Sequence, residues 1–248
     1  MPDWGAEAAA RRLRHFRTLV MAKRAIIYVD GYNLYYSRLR GTPFKWLDLV
    51  QLFRDCILRP QVPDAELVGL KFFTAPAMAK FASHGHDSMV SQNEYHRALR
   101  ARHKDLIEII SGYHTHQESP LMRFAEPPDK NDRVSVWLIE EKQTDVNLAL
   151  SIYRDVAKDR ANLVVACSND SDLEPAIKSL REDFPSCEIG IVAPLPEPDG
   201  ERYRRGNAKL EQLADWTRSY ILDEELAKSQ LPEVVPTRKK AARKPAYW

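Results

Sequence analysis

Apolar residues recur along the chain with two spacings, which predict alternating strands and helices. Residues 26–29 read Ile-Ile-Tyr-Val, a short β-rich run typical of a strand buried on both faces. Residues 48–58 instead repeat apolar positions at helical spacing, and Pro60 and Pro63 end that helix. The same patterns predict strands at 67–74, 106–112, 163–167 and 187–193, and helices at 91–102, 145–157, 173–181 and 208–222. Because consecutive parallel strands are joined by right-handed helical crossovers, this order predicts an α/β fold with a parallel sheet.

Three regions depart from the alternation. Residues 119–132 contain three prolines and 133–140 alternate as a strand, which predicts a long hairpin or flap that extends the third strand. Residues 1–22 form a basic N-terminal extension. Residues 227–248 place two prolines before a basic cluster, a composition typical of a disordered basic tail. We therefore predict one domain over residues 23–226.

The overall composition limits the class of protein. The 248 residues are 44% hydrophobic, which suffices for a core, and the net charge is only +2. Contact with nucleic acid would therefore depend on local clusters of basic residues. Three cysteines lie far apart, as is typical of reduced thiols in the cytoplasm. No run of about 18 apolar residues is present to span a membrane, so we expect a cytoplasmic protein.

Four aspartates follow strands or open helices at one predicted edge of the sheet. Asp30 ends the first strand, Asp170 and Asp172 follow the fourth, and Asp145 opens the helix after the flap. Strands one and four are expected to be neighbours in a doubly wound sheet, so these carboxylates would lie close together. Clustered carboxylates repel one another unless cations lie between them, and oxygen ligands suit Mg²⁺ or Mn²⁺. The sequence thus predicts a metal site, where two ions would activate a water for attack on a phosphodiester.

The aspartates also have a purely structural interpretation. Asp is common in turns and at helix N-caps, which would explain Asp170 and Asp172, and a carboxylate favours a helix N-terminus, which would explain Asp145. The joint position of the four residues at matching strand ends favours the metal site.

Three segments resemble the signature blocks of NYN domains, which belong to the PIN-like nuclease superfamily. They are residues 28–34 (YVDGYNL), 141–149 (EKQTDVNLA) and 168–173 (SNDSDL), and the resemblance spans residues 24–222. It implies a Rossmann-like sheet of about five parallel strands in the order 3-2-1-4-5 and a metal-dependent ribonuclease. The residues that it implies as catalytic and metal-binding are Asp30, Asp145, Asp170 and Asp172, with Asn33 and Ser168 contacting substrate or metal-bound water. Asn169 and Leu173 depart from the Gly and Phe of many relatives, but neither change removes an acid.

A basic and aromatic loop after the fifth strand supplies the predicted substrate contacts. Arg202, Tyr203, Arg204 and Arg205 would hold phosphates and stack a base, as proteins that bind single-stranded RNA do, and Lys142 completes the set. The structural alternative for this loop is an ordinary solvated surface.

Other chemistries have weaker signals. His84 and His86, like His114 and His116, have the spacing of a strand face but no nearby cysteines, so a zinc site is disfavoured. Tyr28 stands where a haloacid dehalogenase phosphatase needs its nucleophilic Asp. No GxxxxGKS or GxGxxG loop is present, which disfavours NTPase or dinucleotide use. The sequence therefore predicts an Mg²⁺- or Mn²⁺-dependent ribonuclease that cleaves single-stranded RNA. The alternative is a PIN-like module that binds RNA or protein without cleavage.

Overall fold

The computed structural model describes residues 23–198 and 205–248, so the predicted N-terminal extension lies outside the described residues. These residues form an α/β fold around a parallel sheet of six described strands in the order β3-β2-β1-β6-β7-β8. The strands of the sheet are β1 (Lys23–Asp30), β2 (Ala65–Thr74), β3 (Ile107–Ser111), β6 (Leu163–Cys167), β7 (Glu188–Val192) and β8 (Trp216–Arg218).

Strand β1 lies at the centre of the sheet and contributes to both cores. Ala25, Ile27 and Val29 point to one face, whereas Ile26 and Tyr28 point to the other, as the two-residue period of a strand requires. Helical residues that include Leu49, Leu52, Phe53 and Leu99 cover the first face, and Leu148, Ile152, Ile177 and Leu180 cover the second. The prediction of a buried first strand in a parallel α/β sheet is therefore confirmed.

The helical segments follow the strands in the predicted order, with several irregular turns. In chain order they are α1 (Gly31–Leu34) with a π-helical continuation over Tyr35–Leu39, α2 (Leu49–Gln51) with a π-helical continuation over Leu52–Leu58, α3 (Arg59–Gln61), α4 (His86–Arg102), α5 (Thr144–Ala157), a 3₁₀ turn at Ser171–Leu173 leading into α6 (Glu174–Asp183), α7 (Ala208–Leu213) and α8 (Asp223–Lys228). No helix among the described residues is both long and apolar enough to cross a membrane.

The predicted strand number and order need correction. The predicted hairpin is present as β4 (Tyr113–Met122) paired with β5 (Arg133–Lys142), and it forms a two-stranded sheet of its own. Its strands take the numbers 4 and 5 without joining the parallel sheet, so the order over all strands is 3-2-1-6-7-8. The five predicted sheet strands correspond to β3, β2, β1, β6 and β7 in that order. Moreover, the helix predicted over 208–222 ends at Leu213, and the chain then adds β8 beside β7. The Trp216 ring lies against Gly190, where a Cβ would approach the ring to 2.2 Å, and this contact between elements was not visible in the helical spacing.

The C-terminal residues also differ from the prediction of a disordered tail. Val234–Val235 (β9) pairs with Ala242–Arg243 (β10), and Val235 and Ala242 are buried. The Trp248 ring packs against Trp46 and Tyr95, with centroid distances of 6.2 and 5.7 Å. The few apolar residues between the prolines and lysines thus cover the core, which composition alone does not reveal.

Candidate functional site

The four predicted aspartates come together at the carboxyl edge of the sheet. Asp30, Asp145, Asp170 and Asp172 line one small pocket of about 10 Å³, here called the acidic pocket. Its other lining residues are Leu148, Ser168 and Leu173. The pocket forms because β1 and β6 are neighbours and the first turn of α5 crosses their ends. The sequence predicted this juxtaposition correctly.

Asp30 is the buried member of the acidic pocket. Its carboxylate accepts hydrogen bonds from the Asn33 backbone N–H and from the Ser168 hydroxyl, both at 2.9 Å. Burial raises the pKa of Asp30 to about 6 against the opposing effect of these hydrogen bonds, and the nearby Asp145 and Glu141 raise it further. Buried carboxyls with a raised pKa are frequent at functional sites.

Several polar residues of the acidic pocket shape the backbone around it. Asp170 caps the 3₁₀ turn by accepting from the Asp172 N–H at 3.0 Å, so the interpretation of these residues as turn or cap residues is confirmed for Asp170. The Asn33 side-chain oxygen accepts from the Asn169 N–H at 3.3 Å, and Ser168 Oγ accepts from the Asp170 N–H at 3.1 Å. Asn33 and Ser168 thus fix the loop after β6 against the end of β1.

The described residues do not form a recognisable metal centre. Within 23–198 and 205–248, no group of three or more His, Cys, Asp or Glu side chains is arranged to hold a metal ion. Burial, together with Asp170 and Asp172, raises the pKa of Asp145, as expected for carboxylates that share a pocket. Mg²⁺ or Mn²⁺ as a cofactor stays a prediction.

The predicted substrate-binding residues are only partly placed. Lys142 lies at the end of β5 and pairs with Glu140 at 2.9 Å. Arg202, Tyr203 and Arg204 lie outside the described residues. Arg205 follows them, and its carbonyl oxygen lies 3.5 Å from the Asn169 side-chain nitrogen, which places Arg205 beside the acidic pocket.

A second and much larger cavity was missed by the sequence reasoning. It has a volume of about 600 Å³ and begins at Gly31, the residue after Asp30, and we call it the aromatic cavity. Eight aromatic residues line it: Tyr32, Tyr35, Tyr36, Phe72, Phe81, Tyr95, Tyr247 and Trp248. The tyrosines that follow Asp30 were a local signal for it, but its other walls come from distant parts of the chain.

Gly31 is required where the two pockets meet. A Cβ on Gly31 would lie 2.5 Å from the Phe73 carbonyl oxygen and 2.6 Å from the Phe72 ring. Side chains are excluded at such distances, so Gly31 lets the end of β1 lie directly against β2. The π-helical turn that follows carries Tyr35 and Tyr36 into the cavity wall, and π-helical turns are frequent at functional sites.

His114 belongs to the lining of the aromatic cavity, and one of its ring nitrogens is buried without a hydrogen-bond partner among the described residues. Its ring lies 5.8 Å from that of Tyr32, measured between centroids, and its Nδ1 lies 3.1 Å from the Pro76 carbonyl oxygen. Because a carbonyl only accepts, Nδ1 carries the proton and Nε2 of the neutral ring is an acceptor. Nε2 is buried and has no hydrogen-bond partner among the described residues. A buried acceptor of this kind is normally satisfied by a ligand or water.

The fold and the site define the class of protein, and comparison with known proteins shows the family. Fold and site together define an α/β protein with two adjoining pockets at the carboxyl edge of its sheet. No family model matches the chain. The chain is 40% identical over 243 residues to 6-hydroxy-3-succinoylpyridine 3-monooxygenase HspA of Pseudomonas putida (strain DSM 28022 / S16), covering 91% of this chain and 75% of the relative. The chain therefore belongs to the family of that monooxygenase.

One solved structure was also similar. It is a protein of unknown function from Vibrio parahaemolyticus RIMD 2210633, 17% identical, with a TM-score of 0.49 over 83% of this chain and 96% of that one.

The predicted ribonuclease activity is wrong. The relative is named a monooxygenase, which is an oxidoreductase and neither a hydrolase nor a nuclease. The same finding speaks against a non-cleaving RNA- or protein-binding module, because the relative is named as an enzyme. The error has a physical origin: acids at strand ends report the geometry of a sheet edge, and one fold hosts many reactions at that edge. NYN membership, an RNA partner and catalytic roles for the four aspartates stay predictions.

Proposed function

We propose that this protein is a monooxygenase that hydroxylates a nitrogen-containing aromatic ring of the hydroxypyridine class. The observation that carries the proposal is the 40% identity over 91% of the chain to an enzyme named for that reaction on a hydroxypyridine.

The aromatic cavity supports this function as the place where the ring binds. Its volume of about 600 Å³ falls in the range of small-molecule sites, which are mostly apolar with a few polar groups. Tyr32 and Tyr36, whose ring centroids lie 4.7 Å apart, offer aromatic faces and edges to a planar ligand. The acidic pocket, at about 10 Å³, has no room for a ring.

His114 would orient the ring by its polar substituent. The unpartnered Nε2 is an acceptor, and the hydroxyl or ring N–H of a hydroxypyridine is a donor, so their hydrogen bond would satisfy both groups. As the hydroxyl proton is drawn towards Nε2, the ring becomes richer in electrons and more reactive towards an electrophilic oxygen. We assign His114 as the substrate-binding base of the proposed reaction.

The proposed reaction consumes O₂ and a reductant, and any test must supply both. A monooxygenase transfers one atom of O₂ to the substrate and reduces the other to water, which consumes two electrons and two protons. Protein residues seldom carry out O₂ chemistry alone, and the electrons pass through a cofactor. The aromatic cavity would accept a planar ring system, whereas the described residues do not identify a metal site. The electron donor is therefore a variable of the experiment.

The test is incorporation of labelled oxygen. The purified full chain is incubated with 6-hydroxy-3-succinoylpyridine under ¹⁸O₂, with NADH or NADPH and with or without FMN or FAD, and products are analysed by mass spectrometry. We expect a product that carries one ¹⁸O atom and depends on both protein and reductant. Products without ¹⁸O under every donor, or oxygen derived from labelled water, would overturn the proposal.

A further inference from the structure

The charged side chains that line the aromatic cavity are all basic. Arg40 and Lys45 belong to the lining, and His84, His96 and His114 are its other titratable side chains apart from tyrosines. Among the described residues, the lining contains no Asp or Glu. Basic side chains in a lining without Asp or Glu side chains favour an anionic ligand over a cationic one.

Lys45 is the cation that is partly withdrawn from solvent. It is half-buried, and its Nζ lies 5.9 Å from the ring centroids of both Tyr247 and Trp248. In the described part of the chain, no carboxylate lies within ion-pair distance of this Nζ. Burial lowers the pKa of Lys45, and no acid among the described residues offsets that effect. An ammonium group held by aromatic rings but lacking a counter-ion is placed to bind an anionic ligand.

Arg40 is a second cation without a described counter-ion, and it lies at the exposed edge of the cavity. Its guanidinium lies 5.4 Å from the centroid of the Tyr36 ring, and its side chain makes no ion pair with another described residue. Several other cations of known placement differ in this respect. Arg38 and Lys71, for example, are engaged by Asp223 and Asp155.

We propose that Lys45, with Arg40 at the cavity edge, binds a carboxylate carried by the substrate. The substrates of this protein are then aromatic rings that bear an anionic side chain, with the ring among the tyrosines and the carboxylate at Lys45. The identity of the ring rests on the proposed function, whereas the selection for an anion rests on the cavity lining.

The experiment compares two probes that differ only in charge. They are 6-hydroxy-3-succinoylpyridine and its primary amide, in which a neutral carboxamide replaces the carboxylate. Binding to the full chain is measured by isothermal titration calorimetry without reductant, so no turnover is needed. The variants are Lys45→Met, which keeps the apolar stem but removes the charge, and Lys45→Arg, which keeps the charge. Lys80→Met is the matched control, because Lys80 lies over the Trp137 ring at 3.7 Å and is not in the lining.

We expect the wild type to bind the acid at least about 10-fold more tightly than the amide, since hydrogen bonds to charged groups have roughly this effect. Lys45→Met should remove that preference by weakening acid binding alone, Lys45→Arg should restore most of it, and Lys80→Met should change neither affinity. Circular dichroism confirms that each variant is folded.

Equal affinity of the wild type for the two probes would overturn the proposal. So would an equal loss for both probes in Lys45→Met, which would indicate a packing role, or no binding of either probe at millimolar concentration. The two proposals fail separately: a protein that binds the acid through Lys45 but incorporates no ¹⁸O loses only the monooxygenase assignment. A protein that hydroxylates without preferring the acid loses only this inference.

Discussion

The hydroxyl group of Ser168 donates a 2.9 Å hydrogen bond to the carboxylate of Asp30, joining the carboxyl ends of strands β1 and β6. This bond holds the acidic pocket together, yet it does not compensate for the burial of Asp30, whose pKa rises to about 6. The site is therefore assembled at some cost to stability when Asp30 is charged, a common property of functional sites.

The first prediction concerns the pH dependence of stability through Asp30. Because burial raises the pKa of this carboxyl in the folded protein from its ordinary 3.8 to about 6, the folded protein retains a proton that the unfolded chain loses. The resulting stabilisation is complete below pH 3.8 and is lost as the pH rises through 6. Asp30→Asn, which stays neutral, should match the wild type near pH 4 and exceed its free energy of unfolding at pH 8 by roughly 1–3 kcal/mol.

Urea denaturation at the two pH values measures this difference. Glu118→Gln, on the exposed face of the hairpin, is the control for loss of a negative charge and should show no such trend. If Asp30→Asn were less stable than the wild type at pH 8, the hydrogen bonds would outweigh the burial of the charge.

The second prediction concerns a buried ion pair beneath the sheet. Lys71 Nζ lies 2.6 Å from Asp155, which also accepts a 3.0 Å hydrogen bond from the Tyr28 hydroxyl. Lys71→Met would leave the fully buried carboxylate without its main counter-ion, so we expect a loss of roughly 3 kcal/mol in the free energy of unfolding. Lys23→Met, which breaks a more exposed 2.7 Å pair with Glu188, should cost less than about 1 kcal/mol. Equal losses in urea denaturation would refute the distinction.

The third prediction concerns the glycine between the two pockets. Gly31→Ala would place a Cβ 2.5 Å from a backbone oxygen, which cannot move aside without displacing β2. We expect a loss of about 2 kcal/mol or more and weaker ligand binding in the aromatic cavity. Gly69→Ala is the matched control, because its Cβ would meet only the Ile26 side chain at 3.8 Å, an ordinary contact. Thermal melts of the two variants should differ by several degrees, and identical melts would show that β1 is free to shift.

The fourth prediction concerns His114 as a substrate-binding base. His114→Phe keeps the aromatic contact with Tyr32 but removes the Nε2 acceptor, so kcat/KM for ¹⁸O incorporation should fall by roughly 10- to 100-fold. His116→Phe is the control, because His116 packs against Phe81 and Trp137 on the hairpin and is not in the cavity lining. A similar fall in both variants would indicate a role for the hairpin fold rather than for the imidazole.

The fifth prediction concerns the C-terminal residues as part of the folded structure. Trp248→Ala removes edge contacts with Trp46 and Tyr95 and one of the two rings near Lys45. We expect a loss of about 1–3 kcal/mol in the free energy of unfolding together with weaker binding of the anionic probe. An unchanged melting temperature would favour the disordered tail that composition had predicted.

Local patterns in the sequence determined the centre of the fold. The apolar run that ends at Asp30 defined β1, and the alternation of periods 2 and 3.6 defined a parallel sheet. The ends of such strands share one edge, so the sequence alone was enough to place Asp30 and Asp170 together. This works because strand burial and strand ends depend on neighbouring residues in the chain.

Tertiary structure alone decided the remaining features. Trp216 belongs to a strand because it packs on Gly190, and Trp248 is ordered because it packs on Trp46. The aromatic cavity joins Tyr32, His114 and Tyr247, which are far apart in sequence, so no local period could reveal it. The sequence did not predict the reaction class for the same reason. The acids that stand out in the sequence line a pocket that is too small for an aromatic ring. The cavity with room for one exists only after the chain has folded.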